Sequence, residues 1–452
     1  MARSHPDGTP GSAASPASRV PATAQRGHGH QRRRESGAGS FAPSPVIRML
    51  DKRVRLRHMQ SDDQLAKGRH VDGTPAWLRA SIPDLLAETT MRAAVCRRFG
   101  HPFLLEDVTL AAPGPDDVTV RLGATSICHS DIIFADGGWG GDLPAVYGHE
   151  GAGVIEAVGS AVGDVAPGDH VIVTMVRSCG GCACCTRGLR GCCEHTFDRP
   201  GHVRITDRSG QPVVQGLKTA AFAERTTVHR SQIVRVDPDL PFDVAAVLAC
   251  GVITGFGAVA NSADIRQDSH VVVIGAGGVG LNCIQAARLR DARRIIAIDR
   301  AAGRLEAALA FGATDGIDAG KTDPAPLVRD LTDGRGADYV FVAVGAGAAI
   351  ESALGLLAPG GMAVLVGMPE TGVSVTVDPI AIANGSQRVV GSKLGDADIG
   401  RDIPALIDLY RQGLLKLDEL ITDRFRFEDI NQAMLAAKSG AGLKTVLLFD
   451  RD

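Results

Sequence analysis

No uninterrupted apolar run in this 452-residue chain reaches the roughly 20 residues that a membrane-spanning helix needs, so a membrane partner is not expected. The N-terminus lacks the charged start and apolar h-region of a secretory signal, and export is not expected either. A surplus of one charge is missing too. The net charge of -3 gives no reason to expect nucleic acid or an anionic membrane surface as a partner. What remains is ordinary for a soluble globular protein: 44% hydrophobic and 22% charged residues, over a length that suggests two or three domains. A cytoplasmic, reduced setting is the expectation.

The first 90 residues stand apart. They are rich in Pro, Gly, Ser, Ala and Arg, with Phe41 and Trp77 their only aromatics. They carry 14 Lys or Arg against 8 Asp or Glu, a surplus of six that leaves -9 on residues 91–452. The basic run Gln31-Arg32-Arg33-Arg34 is isolated. A segment so poor in periodic apolar residues cannot offset its ordering entropy, so residues 1–90 are expected to be a disordered N-terminal extension. A targeting arm, a nucleic-acid-binding tail and a translation start at Met91 stand as alternatives.

From Met91 onward, short β-type runs at 118–124, 151–160 and 169–175 alternate with Gly/Pro turns. That density predicts a compact, largely antiparallel β domain. Around Ser269 the texture changes: HVVVIGAG, a helical stretch and then RIIAID read as strand, crossover helix and strand. Further β-runs at 339–345 and 362–368 alternate with helices, which predicts a doubly wound parallel sheet. An amphipathic helix near Ile403–Gln412 and the strand KTVLLFD close the chain and are expected to pack back on the first domain. The resulting division is 91–252, 253–391 and 392–452.

Cys179, Cys182, Cys185 and Cys193, spaced C-x2-C-x2-C-x7-C, can fold around one tetrahedral zinc within a lobe at 179–193. Buried packing cysteines or two disulfides are the alternatives, and a reduced setting disfavours the second. Cys184 and Cys192 fall outside the spacing and are expected to be spare thiols.

Gly275-Ala276-Gly277-Gly278-Val279-Gly280 reads G-x-G-x-x-G. Four strand residues, Val271 to Ile274, precede it, a helix follows, and Asp299 ends the next strand 19 residues after Gly280. The first glycine permits a tight turn, the second lets a pyrophosphate approach the backbone, and the third allows close helix–strand packing. Asp299 can accept both adenosine-ribose hydroxyls and repels a 2′-phosphate, which favours NAD over NADP. Arg300 keeps NADP open, and Arg304 is a further candidate for the cofactor.

Cys128 in ICHSD, His149 in YGHEGAG and Cys250 in LACGVITGFG complete a series of motifs, in order, through which residues 91–452 resemble the zinc-dependent medium-chain alcohol dehydrogenase family. The resemblance implies an α/β fold: a GroES-like, mostly β catalytic domain plus a Rossmann coenzyme domain with a doubly wound parallel sheet. It implies two zinc ions per chain, a structural one on the four-cysteine lobe and a catalytic one on Cys128, His149 and Cys250. Asp131 would orient the His149 imidazole, and Glu150 would tune the metal from behind. Ser130 matches the hydroxyl residue that relays a proton to the nicotinamide ribose and Thr254 a residue near that ribose, whereas Ile133 stands where many relatives have the next histidine of that relay. His129 and Lys444 align with positions that contact the pyrophosphate, and Trp139, Met175, Phe222 and Met368 with pocket-lining ones. The implied function is hydride transfer between a primary alcohol or aldehyde and NAD(H) through a zinc alkoxide. A dehydrogenase of thiol–formaldehyde adducts is the alternative, followed by a non-catalytic NAD-binding relative. A homodimer is expected, with a homotetramer as alternative.

Overall fold

The computed structural model describes residues 88–195 and 203–450. The expected extension lies outside the described residues as far as position 87. Thr89 and Thr90, assigned to it from composition, instead open strand β1 (Thr89–Cys96), where they pair with Leu110 and Thr109 of β2 (Leu104–Leu110). β-branched residues suit a pleated strand, which is why the boundary moves toward the N-terminus.

The β-rich part continues with β3 (Asp117–Ile127), helix α1 (His129–Asp136), β4 (Ala145–Val146), β5 (Glu150–Val158), β6 (His170–Val173), β7 (Ile205–Asp207), β8 (Pro212–Gln215), β9 (Arg225–His229) and β10 (Ile233–Val236). Five of these strands close a barrel in the order β1-β2-β7-β8-β4. The others join a sheet with two C-terminal strands, β17 (Ile421–Arg426) and β18 (Lys444–Leu448), in the order β10-β6-β5-β3-β18-β17, with β9 also on β3. Central β3 is buried along most of both faces. Strand β5 pairs with β3 from Val118↔Val158 to Ser126↔Glu150, which brings Glu150 and His149 beside the end of β3 that leads into Cys128.

Next comes helix α2, Phe242–Ser262, which contains two π-helical turns at Leu248–Val252 and Ala258–Ser262. By length and mean hydropathy (1.9) it could cross a membrane, although Thr254 and Asn261 interrupt its apolar run and hide that property from a search for unbroken apolar stretches. In the fold, 89% of its apolar window is buried inside the protein, in the cluster that also holds Val271, Leu281 and Val446. It is a core helix between the two sheets.

The parallel sheet is built from β11 (His270–Ile274), β12 (Arg294–Asp299), β13 (Asp315–Asp318), β14 (Ala337–Val342), β15 (Leu357–Leu365) and β16 (Arg388–Gly391), ordered β13-β12-β11-β14-β15-β16. Its helix α3 (Gly278–Leu289) follows β11 directly. Every residue of β11 is buried, the continuous apolar pattern of a strand covered on both faces. The chain then runs through α4 (Ile399–Arg411) to β17 (Ile421–Arg426), α5 (Ile430–Ser439) and β18 (Lys444–Leu448). Strand β18 pairs antiparallel with β3, from Thr445↔Ile127 to Leu448↔Ala124, and so returns the C-terminus to the first sheet.

Candidate functional site

Three segments far apart in sequence meet where β3 ends. Cys128 is the N-cap of α1, His149 precedes β5, and Cys250 lies in the first π-helical turn of α2. One ligand atom from each of Cys128, His149, Cys250 and Glu150 falls within 4.8 Å of the other three. Asp131, fully buried in the first turn of α1, organises the group. Its Oδ2 accepts the Cys128 N–H (3.0 Å), while its Oδ1 accepts the Gly148 N–H (3.0 Å) and faces His149 Nδ1 at 2.9 Å. With Nδ1 held there, Nε2 points inward, buried and without a hydrogen-bond partner. A buried imidazole nitrogen left bare beside two thiols is costly unless a cation binds it. Two sulfurs and one nitrogen are also a donor set suited to a catalytic zinc. The residues fit the metal.

The titration balance points the same way. A hydrogen bond with Cys250, helped by His149 and Lys444, holds the Cys128 thiol well below its ordinary value in spite of burial. Cys128 and burial together push Cys250 well above. Burial disfavours a charge on His149, but Asp131 outweighs it and raises that group well above 6.5. Zinc needs both sulfurs as thiolates and the imidazole nitrogen unprotonated, so zinc loading is expected to release protons and to weaken as pH falls. Indicator absorbance during zinc titration in weak buffer reads this, and a proton-neutral uptake would contradict the ligand set.

Lys444 makes an ion pair that its alignment does not reveal. Its ammonium, 8% exposed, donates to Glu150 Oε1 (2.8 Å) and the Ile127 carbonyl (3.1 Å), with Glu150 Oε2 at 2.7 Å. It is tied to the carboxylate beside the metal ligands, and only its stem approaches the glycine loop, 3.9 Å from where a Cβ of Gly278 would lie. Burial pushes Glu150 up to about 7 against the pull of Lys444, while Glu150 keeps Lys444 charged in spite of its own burial.

The dinucleotide loop has the geometry its glycines suggest. Gly275 adopts φ +92°, and a Cβ on Gly280 would sit 1.8 Å from the Gly275 carbonyl oxygen. A Cβ on Gly277 would meet nothing within 4 Å, so the backbone there is open to a ligand. Gly278 and Val279 start α3, whose N-terminal amides suit an anion. Asp299 ends β12 and accepts the N–H groups of Ala276 (2.8 Å), Arg300 (2.7 Å) and Ala301 (3.0 Å). It thus clamps the glycine loop, a task that its spacing does not reveal. Arg304 lies 3.9 Å from Asp299, and Arg300 is exposed. Helix α2 crosses α3 so closely that a Cβ on Gly255 would lie 2.2 Å from the Val279 carbonyl. This crossing sets Cys250 and Thr254 beside the loop, with Thr254 Oγ1 3.9 Å from Cys250 Sγ.

Ser130, half-buried, and His129, exposed, occupy the first turn of α1. Ile133 is 7% exposed, with its Cγ2 2.9 Å from where a Cβ of Gly138 would lie. Of the expected pocket residues, Trp139 and Met175 are half-buried and Met368 is 58% exposed. Phe222 is fully buried in the barrel-side core, edge-on to Phe103 at 6.0 Å, which makes it a packing residue.

The four-cysteine lobe is folded for a metal. Cys179 and Cys185 sulfurs lie 4.0 Å apart and those of Cys182 and Cys193 3.9 Å apart. Thiolates about 2.3 Å from a tetrahedral zinc would be separated by about 3.8 Å, whereas a disulfide needs about 2.05 Å. All ten cysteines are free. Backbone N–H groups, Glu194's first and Cys185's next, hold the Cys182 thiol down at about 6. Cys184 points to Glu194 (3.6 Å) and Cys192 is exposed, outside the tetrad as the spacing implies.

Comparison with known proteins agrees with this geometry. A family described as "Alcohol dehydrogenase GroES-like domain" matches residues 114–238, and one described as "Zinc-binding dehydrogenase" matches 278–412. The chain is 34% identical to "Putative alcohol dehydrogenase D" of Mycobacterium tuberculosis, over 79% of this chain and 99% of that protein. It is 35% identical to "S-(hydroxymethyl)glutathione dehydrogenase" of Saccharomyces cerevisiae, over 79% and 96%. Among solved structures, benzyl alcohol dehydrogenase from Acinetobacter calcoaceticus superposes with a TM-score of 0.76 at 31% identity, over 80% of this chain and all of that one.

Proposed function

The chain belongs to the zinc-dependent medium-chain alcohol dehydrogenase family, and from that premise we propose that it interconverts primary alcohols and aldehydes with NAD at the Cys128–His149–Cys250 centre. The observation that carries this reading is the bare, buried Nε2 of His149 among two sulfurs, beside an open glycine loop. When bound, zinc supplies Lewis acidity that lowers the pKa of a hydroxyl, and NAD supplies the hydride acceptor.

This chain's residues do the rest. Asp131 fixes the ring so that Nε2 is the ligand nitrogen, and Lys444 holds Glu150 beside it. Thr254 Oγ1 and the half-buried Ser130 hydroxyl are the groups that pass the substrate's proton toward the ribose and water, since Ile133 offers no base. The second zinc, on Cys179, Cys182, Cys185 and Cys193, stabilises its lobe, which docks on the rest through Arg190 and Asp398 (2.8 Å). Asp299 selects NAD.

Turnover of thiol–formaldehyde adducts is the alternative, favoured by the name of the yeast relative. A panel of alcohols with NAD and NADP separates the two. Primary alcohols, including benzyl alcohol, are expected to reduce NAD without added thiol, at least about tenfold better than NADP, since one lost or repelled charge contact is worth over 1 kcal/mol. Reduction only with a thiol and formaldehyde would favour the alternative, and no reduction with any donor would overturn the proposal. A homodimer is part of the same reading. Val373, Val375, Val377, Ile380 and Val389 are exposed around β16, the outer strand of the parallel sheet, and sedimentation would read twice the chain mass. The ten free thiols support a reducing, cytoplasmic setting, which oxidative disulfide mapping of the protein from cells would test.

A further inference from the structure

Helix α1 carries Cys128 at its start and Asp131 in its first turn, and it ends on a segment made almost wholly of glycine. Gly137, Gly138, Gly140 and Gly141 flank Trp139, and three of them adopt positive φ (88°, 67° and 123°). Such a segment has little of its own to fix its position. It is fixed from across the cleft. The Trp139 indole Nε1–H donates to the Pro369 carbonyl at 2.8 Å, and the Thr371 N–H donates to the Gly138 carbonyl at 3.3 Å. Pro369 and Thr371 belong to the loop that leaves β15 at the carboxyl end of the parallel sheet, where such sheets bind their ligands.

Contacts continue in both directions. On the coenzyme side, a Cβ on Gly367 would lie 2.4 Å from the Val344 backbone, and one on Gly275 would lie 2.3 Å from Val344 Cγ1. The loop holding Trp139 therefore leans on the residue that touches the first glycine of the dinucleotide motif. On the metal side, the Trp139 ring meets Phe134 edge-on at 5.0 Å, and Phe134 stacks on Tyr147 at 5.8 Å, two residues before His149. One chain of packed groups joins the glycine loop to the metal ligands, and the hydrogen bonds of Trp139 and Gly138 are its polar joints between the two lobes.

We propose that Gly137–Gly141 is a latch across the cleft, hooked by the Trp139 indole on the Pro369 carbonyl, and that coenzyme must unhook it both to enter and to leave. Trp139 is thus a positioning residue for coenzyme exchange. The inference rests on the reading of the cleft as a dinucleotide site. A latch that is closed with and without coenzyme raises the barrier in both directions and leaves the equilibrium alone.

The test is stopped-flow binding of NADH to the full-length, zinc-loaded chain, followed by NADH fluorescence. Trp139→Phe keeps a ring against Phe134 but removes the N–H, and Thr371→Pro removes the other donor while keeping the indole. Each is expected to raise the association and dissociation rates together, roughly fivefold, the size of one lost hydrogen bond, with Kd unchanged. Unchanged rates, or a weaker Kd with unchanged association, in whichever variants keep the wild-type Tm would overturn the latch. Calorimetry of the wild type with NADH keeps the two ideas apart: no binding at all sinks the dinucleotide reading itself, whereas binding with unaltered variant kinetics sinks only the latch.

Discussion

Cys250→Ser is expected to lower kcat/KM for alcohol oxidation by at least ~10³-fold, because the Lewis-acid contribution of a catalytic metal is worth several kcal/mol. Serine preserves the shape of the side chain, so the π-helical turn at Leu248–Val252 should form as in the parent chain. What changes is the donor. A serine hydroxyl does not ionise as a thiol does, leaving Cys128 and His149 as the ligands and Glu150 as the nearest replacement. Metal content should fall by one ion per chain, with Tm nearly unchanged. Wild-type turnover in the variant, or loss of two ions, would show that Cys250 is not a ligand of a separate catalytic metal.

Glu150→Leu should cost stability rather than chemistry alone. It leaves the Lys444 ammonium buried with only the Ile127 carbonyl to bind, and breaking a buried ion pair from one side costs about 3–5 kcal/mol. Removing both partners, as Glu150→Leu with Lys444→Leu, should recover most of that loss, because no charge is then left without a partner. Lys444→Met differs in its pH dependence. Glu150 already sits at about 7 beside the lysine, against an ordinary 4.5, and without the lysine burial raises it further. The folded chain then holds a proton that the unfolded chain releases above 4.5, so the stability of this variant falls as pH rises from 4.5 through 7 and beyond. Urea unfolding of the zinc-free chains at pH 5 and pH 8 measures the difference. A double variant no more stable than Glu150→Leu would contradict this account of the pair.

Where the determinants are local, the amino-acid sequence alone makes the site legible. The tetrad runs only from Cys179 to Cys193, so its convergence is written into a short spacing, and the glycine loop is a strand–turn–helix whose constraints are all within reach of one another. Strand β11 announces itself as HVVVI because both faces are buried. The Asp131–His149 contact follows only from the family resemblance, since 18 residues and a strand separate the two. Other features have no local signature. Lys444 reaches Glu150 across 294 residues and Trp139 reaches Pro369 across 230, and neither pairing is implied by what surrounds those residues in sequence. Phe222 aligns with a pocket position, yet tight packing under Gly148 draws it into the core. The π-helical turns in α2 likewise have no signature in the residues that form them.

Anomalous scattering at the zinc edge from crystals of the active enzyme tests the central claim most directly. Two peaks per chain are predicted, one amid Cys179, Cys182, Cys185 and Cys193 and one bounded by Cys128, His149 and Cys250, with NAD reduction lost when the second is stripped. A single peak at the four-cysteine lobe, in crystals of protein that still oxidises alcohols at the full rate, would contradict it.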